Sequence, residues 1–224
     1  MRPGGWEKYC IWEHSRTIRE LYRKRCRKNV EEMTAHAQAC ELLEPRISRG
    51  DSLLDVGCGS GYFFHSLAKR RLPVDYWGVD ASPSLIQIGK EELPEFGLSE
   101  DRLQAKRIED LDGEFDHIVC INVLSNIDNY HRPLERFVRM ARKSVVLRES
   151  IKQGTEYSYI RDNFLDEDVE LYVHVNHYDG DEILAFFLRY GFSAKLVVDR
   201  RTGGKAEEVI GVPHFWTFVL ATPS

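Results

Sequence analysis

The chain of 224 residues has little with which to build a disulfide framework or a zinc site. Its five cysteines (10, 26, 40, 58 and 120) are odd in number and show no C-x-x-C spacing. They are expected to be reduced packing residues. No apolar run approaches the ~20 residues that a membrane helix needs. The N-terminus lacks the apolar stretch of a secretory leader, so a cytoplasmic location without membrane contact is expected. Positive charge is not in excess either: 31 Lys and Arg stand against 36 Asp and Glu, a net −5, which gives no general attraction to nucleic acid. No internal repeat and no low-complexity tract interrupts the chain. No carboxylate cluster stands out by spacing as an ion site, and no metal is expected. What is present, 42% hydrophobic and 30% charged residues, suits one large α/β domain with a small addition.

That domain is organised around Leu53-Leu54-Asp55-Val56-Gly57-Cys58-Gly59-Ser60-Gly61-Tyr62-Phe63. Leu53, Leu54 and Val56 read as a strand covered on both faces. Gly57, Gly59 and Gly61 let the backbone turn sharply and leave no Cβ between it and a ligand. A helix follows, with its free N–H groups directed at the same space. Strand, glycine turn and helix together make a nucleotide-sized pocket. A dinucleotide fingerprint wants G-x-G-x-x-G; here the third glycine comes one residue early, and Tyr62 takes the place that pattern reserves. The acid at the strand end, Asp55, suits a ligand with an ammonium group. The whole string resembles motif I, (D/E)-x-G-x-G-x-G, of the class I S-adenosylmethionine-dependent methyltransferases.

The rest of the chain follows the same order. Val74 to Val79 reads as a second strand ending at Asp80, nineteen residues after Gly61 and near the ~20 expected of a ribose-binding acid. Ala81 and a serine-capped helix start at Ser82-Pro83 follow. Leu103 to Ile108 is a third strand. By the resemblance, Ile108, Glu109 and Asp110 form the adenine side, although Arg107 stands where the family usually carries the acid for the adenine amino group. Phe115 to Asn122 resembles the fourth strand, and its end, Ile121 and Asn122, is expected beside the methionine part of the cofactor. In the following Val123 to Asp128, Asn126 replaces a common histidine. Ser144 to Leu147 is a fifth strand, with Glu149 beyond it facing the pocket region. Ala194 to Val198 and Phe215 to Ala221 close the sheet, joined by a polar, flexible tip from Arg200 to Gly211.

Two segments fall outside these motifs. Residues 6 to 48 read as two helices. In the first, Ile11, Ile18, Leu21 and Tyr22 share a side at the ~3.6-residue period, opposite a stripe of Arg16, Arg19, Arg23 and Arg27 expected to be solvated. Arg25 falls among the apolar positions and needs an anionic partner: an internal acid or, by the resemblance, the methionine carboxylate, with Tyr22 beside it. Residues 151 to 178 exceed the short connection the fold requires and read as a substrate lid.

The expected architecture is a doubly wound, Rossmann-like α/β fold with a seven-stranded, mostly parallel sheet and one antiparallel strand. Residues 1–48 form an N-terminal helical cap and 49–224 the methyltransferase domain, which contains the 151–178 insert. The resemblance implies S-adenosyl-L-methionine as cofactor and S-adenosyl-L-homocysteine as product. The acceptor is expected to be a small molecule, with an O- or N-nucleophile on a sugar or another hydroxylated metabolite. Expected cofactor contacts are Asp55, Gly57, Cys58, Gly59, Gly61, Tyr62, Asp80, Ala81, Ile108, Glu109, Asp110, Ile121, Asn122, Tyr22 and Arg25. A hydroxyl nucleophile benefits from a general base, and His174 and His177 of the insert are the candidates. The rivals are a tRNA or protein methyltransferase using the basic helix, a cofactor-binding module without activity, and an NAD-dependent enzyme, which Tyr62 disfavours.

Overall fold

A computed structural model describes residues 8–224; residues 1–7, part of the expected cap, lie outside the described residues. The parallel core consists of β1 (Ser52–Val56), β2 (Asp75–Asp80), β3 (Leu103–Ala105), β4 (Phe115–Ile121) and β5 (Ala141–Lys152), completed by β9 (Phe192–Val198) and β12 (Trp216–Pro223). The strand order is β3-β2-β1-β4-β5-β12-β9. Within this path only β12 runs antiparallel, to both of its neighbours, as expected of a closing hairpin. A further short strand, β8 (Tyr178–Asp179), pairs with the far end of β5.

Alternation along the strands divides the core into two layers. Leu53, Val119, Val146 and Phe218 face one side, whereas Leu54, Ile118, Val145, Leu147 and Val219 face the other. The first layer is covered by α1 (Ile11–His14), α2 (Arg16–Cys26), α3 (Thr34–Leu43), α4 (Phe63–Lys69) and α5 (Pro83–Glu92). The second is covered by α6 (His131–Met140) and α7 (Gly180–Arg189). Because β2 and β3 wind outward from β1 and β4 returns to its other side, the β1/β4 boundary is the switch point where ligands bind in such sheets.

Several expectations need correction. The first N-terminal helix is broken at Ser15, whose hydroxyl caps α2 by accepting the Ile18 N–H at 3.1 Å. Leu21 is turned outward at 37% exposure, and Cys26 is buried in the core instead. The arginine stripe is exposed as expected, but three of its members are ion-paired. Arg23 and Arg27 both hold the Glu92 carboxylate, at 2.5 and 2.7 Å, and Arg16 pairs with Asp168 of the insert at 2.5 Å. These arginines dock the helix onto the rest of the molecule.

The insert is ordered as a second hairpin, β6 (Tyr159–Arg161) against β7 (Tyr172–His174). Asn176 ties it to the turn after β4: its N–H donates to the Ser125 carbonyl at 2.8 Å, and its side-chain carbonyl accepts from Ser158 N at 3.1 Å. Asp166 joins it to the start of α2 through Arg16 N and the Thr17 hydroxyl, both at 2.9 Å. The segment expected as a loose tip also has structure, because β10 (Glu207–Val209) pairs with β11 (Val212–His214). At its base, the Arg200 N–H donates to the side-chain carbonyl of Gln38 in α3 at 2.8 Å.

Glu149 does not face the pocket. It is 2% exposed, and its carboxylate accepts the N–H groups of Val123, Leu124 and Ser125 at 2.8–3.0 Å. Next to it, Arg148 Nε donates to Asp199 Oδ2 at 2.7 Å, with the two side chains almost wholly buried. Removing one member of a buried pair strands the other charge, at a cost of about 3–5 kcal/mol. Asp199→Asn is therefore expected to lower the unfolding free energy by about 3 kcal/mol, read as a lower urea midpoint at unchanged slope.

Candidate active site

The glycine turn leaves β1 where β1 and β4 part, so it lies among the C-terminal ends of β1, β2 and β4. Gly57, Gly59 and Gly61 all have positive φ (+71°, +58° and +78°), a region that side chains other than glycine rarely adopt. The turn is stitched to β2: Gly57 N and Cys58 N donate to the Val79 carbonyl at 2.8 and 3.0 Å. Asp80 completes the seam, one carboxylate oxygen accepting Gly59 N and the other Ser82 N, each at 2.8 Å. Space above the turn is tight. A Cβ on Gly57 would stand 2.2 Å from a Val123 methyl, and one on Gly59 would stand 2.1 Å from the Tyr22 ring.

Two buried carboxylates meet here. Burial pushes Asp55 up to about 7 against the hydrogen bond from the Tyr76 hydroxyl, and the charge of Asp80 adds to the rise. Burial likewise lifts Asp80 to about 6, opposed by the N–H groups of Ser82 and Gly59. Each is a low-dielectric carboxylate whose ionised form gains from a nearby cation.

The cap supplies a cation, Arg25. Arg25 Nη1 donates to the Tyr62 hydroxyl at 2.8 Å, and its guanidinium lies over the rings of Tyr22 and Tyr62, 5.0 and 4.9 Å from their centroids. The Tyr62 hydroxyl in turn points at Met33 Sδ, 3.0 Å away. Among the described residues Arg25 forms no ion pair, so the internal acid expected for it is not there. Tyr22, pushed up to about 12 by burial, stays a neutral phenol.

The remaining expected residues divide by position. Cys58 is buried, with Sγ near the Gly59 carbonyl at 3.6 Å. Ala81 is exposed. Ile108, Glu109 and Asp110 form one 3-10 turn in which Arg107 Nε reaches Glu109 at 3.4 Å. Ile121 ends β4, and Asn122 follows with a φ of +59°. That conformation is held by Arg148 Nη1, which donates to Asn122 Oδ1 at 2.5 Å, and by the Asn126 amide, which donates to the Asn122 carbonyl at 2.7 Å.

The two candidate histidines are not brought together. His174 packs against the Tyr159 ring, with centroids 4.5 Å apart, and lines a cavity of about 30 Å³ with Asn126, Trp12, Cys10, Tyr159 and Tyr172. His177 is buried and fixed by the Ser150 hydroxyl at 2.7 Å, facing His214 and Phe215. Burial lowers the pKa of both imidazoles. The alternation of Tyr172, Val173 and His174 was a readable signal for one wall of this cavity. Trp12 and Tyr159 carried none, because only the folded chain brings the N-terminus against the insert.

Comparison with known proteins fits this geometry. Residues 54–147 match a family model described as "Methyltransferase domain". The match covers the segment from β1 into β5. The mitochondrial ubiquinone biosynthesis O-methyltransferase of Saccharomyces cerevisiae is 34% identical over 79 residues, 34% of this chain and 25% of that protein. The carboxy-S-adenosyl-L-methionine synthase of Campylobacter jejuni is 26% identical over 127 residues, 56% of this chain and 52% of that one. The chain thus spans a quarter to about half of the length of these relatives. Among solved structures, an S-adenosylmethionine-dependent methyltransferase from Clostridium acetobutylicum shares the fold at a TM-score of 0.63 and 16% identity, covering 92% of this chain and 97% of that one. The methyltransferase family match ends inside β5, so the cap, the insert and the closing hairpin lie outside it.

The contact between Tyr22 and the glycine turn is testable by stability. Gly59→Ala adds a strained positive φ, worth about 1–2 kcal/mol, and a collision with the ring. Gly59→Ala with Tyr22→Ala is expected to lose less than the sum of the single losses, by about 1 kcal/mol or more in a double-mutant cycle of thermal melts.

Proposed function

We propose that the chain is an S-adenosylmethionine-dependent methyltransferase acting on a small molecule, at an O- or N-nucleophile of a hydroxylated metabolite such as a sugar or phenol. The observation that carries this reading is the juxtaposition of the positive-φ glycine turn, the Asp80 carboxylate and an Arg25 guanidinium without an acidic partner among the described residues. These groups complement a zwitterionic nucleoside. The Asp80 oxygens suit the two ribose hydroxyls, which donate. Arg25, flanked by Tyr22 and Tyr62, suits a carboxylate, and Asp55 suits an ammonium. Gly57, Cys58, Gly59 and Gly61 give the close backbone approach. Ala81, Ile108, Glu109 and Asp110 border the base, and Ile121 and Asn122 border the aliphatic part.

The bound cofactor supplies an electrophilic methyl on a sulfonium, already a good leaving group. The protein's contribution is then alignment of the nucleophile, exclusion of water, and removal of a proton where the nucleophile is a hydroxyl. His174 is assigned that last role in preference to His177, since it lines the cavity beside Asn126 while His177 is occupied by Ser150. An imidazole whose pKa is lowered by burial is neutral at pH 7 and able to accept. The engagement of Arg16, Arg23 and Arg27 with Asp168 and Glu92 removes the support for a nucleic-acid face.

The first test is thermal unfolding with S-adenosylhomocysteine, with NAD as control. At ~100 times its Kd a ligand adds about 2.7 kcal/mol, a rise of about 5–10 °C for a chain of this size. The rise is expected with S-adenosylhomocysteine alone, to shrink in Asp80→Asn, and to grow from pH 5 to pH 8, because Asp80 (about 6) and Asp55 (about 7) lose their protons in that window and only then carry the charge the ligand needs. Equal shifts with both ligands, or none, would overturn the assignment.

Turnover separates the histidines. His174→Asn is expected to lower kcat by about 100-fold or more and to abolish the fall in rate on acidification below its pKa. His177→Asn is expected to lower Tm with kcat nearly kept.

A further inference from the structure

The glycines bare the backbone of the turn after β1, and at Gly59 the chain itself lies on the bared surface. A Cβ on Gly59 would stand 2.1, 2.8 and 3.1 Å from three atoms of the Tyr22 ring. The ring therefore fills the volume in front of residue 59 that a side chain, or a ligand pressed against the turn, would take. The same ring meets Tyr62 edge-on at 5.4 Å between centroids and covers one face of the Arg25 guanidinium at 5.0 Å. Tyr22 thus stands on two of the groups that complement the ligand, the turn and the cation.

A second contact closes the neighbouring loop. The Glu13 carboxylate of α1 accepts the Ser82 hydroxyl at 2.5 Å and the Ser84 N–H at 3.2 Å. The Glu13 carbonyl accepts the Ser84 hydroxyl at 3.2 Å. Ser82 is also the residue whose N–H binds Asp80. An acid of the cap thereby sits at the start of α5, where free N–H groups favour negative charge. Its charge is felt at Asp80, the carboxylate assigned to the ribose.

Neither contact is what anchors the cap in the core. The buried anchors of α1 and α2 are Ile11, Ile18 and Cys26, whereas Tyr22 and Glu13 are half-buried. Both contacts are made by the ends of long side chains, which leave by changing rotamer while the anchors stay in place.

We propose that Tyr22 and Glu13 form an autoinhibitory plug: they occupy the ligand's side of the glycine turn and of the loop after β2, and the nucleoside cofactor binds only the minor population in which both are withdrawn. The inference rests on the methyltransferase reading, which supplies the ligand. It makes Tyr22 a competitor of the cofactor rather than one of its contacts. Arg25, uncovered when the ring leaves, keeps its place opposite the carboxylate. A state populated at about 10% or less raises the apparent Kd about tenfold or more. Because withdrawal precedes binding, the binding rate levels off at high ligand concentration, at the rate at which the plug opens.

The test is stopped-flow mixing of the full chain with S-adenosylhomocysteine, followed by tryptophan fluorescence, since Trp12 adjoins Glu13. Equilibrium affinity is measured by calorimetry and folding by a melting curve on each preparation. With the unaltered chain the observed rate is expected to rise with ligand concentration and then level off. In Tyr22→Ala it is expected to rise linearly over the same range, with Kd lowered about tenfold or more. Glu13→Gln keeps the shape of the side chain and removes its charge; it is expected to raise the plateau rate, and it carries the test by itself if Tyr22→Ala does not fold. A linear dependence in the unaltered chain, weaker binding by folded Tyr22→Ala, or an unchanged plateau in Glu13→Gln would each overturn the plug while leaving the cofactor assignment standing. Failure of S-adenosylhomocysteine to bind either the unaltered chain or the variants would sink the methyltransferase reading and the plug with it.

Discussion

The carboxylate of Asp80 is the joint on which the site depends. At the end of a parallel strand the backbone N–H groups of the next turn have no ladder partner, and burial makes an unsatisfied donor costly. Asp80 meets this at two places, accepting from Gly59 in the glycine turn and from Ser82 at the start of α5. One side chain thereby holds the loops after β1 and β2 in register. Glu149 does the same for the turn after β4, with three N–H groups on one carboxylate. Both acids are raised by their burial. Asp80 opens toward the region that the cap closes, whereas Glu149 is sealed inside and serves the turn alone.

The cap is a joint product of two distant segments. The N-terminal helices are held from one side by Glu92 and from the other by Asp166 and Asp168 of the insert. Tyr22 and Arg25 reach the glycine turn from α2, while Trp12 and His174 reach the end of β4 from the two segments together. Core packing of Ile11, Ile18 and Cys26 adds to these ion pairs in holding the cap.

The framework was legible because its signals are local. The apolar run of Leu53 to Val56, the glycines after it and an acid nineteen residues beyond Gly61 specify a strand, a turn and a carboxylate beside that turn with little help from elsewhere. Short hydrophobic runs placed the seven main strands, and the single antiparallel strand followed from the resemblance. The errors arose where tertiary partners decide. Glu149 was aimed at the pocket by topology alone, but three stranded N–H groups drew its carboxylate inward. The arginine stripe is exposed as its helical period indicates, but the acids on α5 and the insert that pair with it were not readable. Ser15, which splits the first helix, had a cap's chemistry, yet the apolar period runs straight through it.

The sequence by itself determined the parallel α/β sheet, the glycine turn and the acid at the end of β2, because backbone conformation and strand burial are written in short stretches of chain. Only the tertiary structure decided that Trp12, Tyr159 and His174 share one cavity, that His177 serves as a structural clamp on Ser150, and that Arg25 stands between two rings without an acid among the described residues. The first of those relations joins positions more than a hundred residues apart along the chain, and the others join positions 27 and 37 apart. No local period or motif records such a distance, since it is set by how the cap and the insert settle against the sheet and against each other.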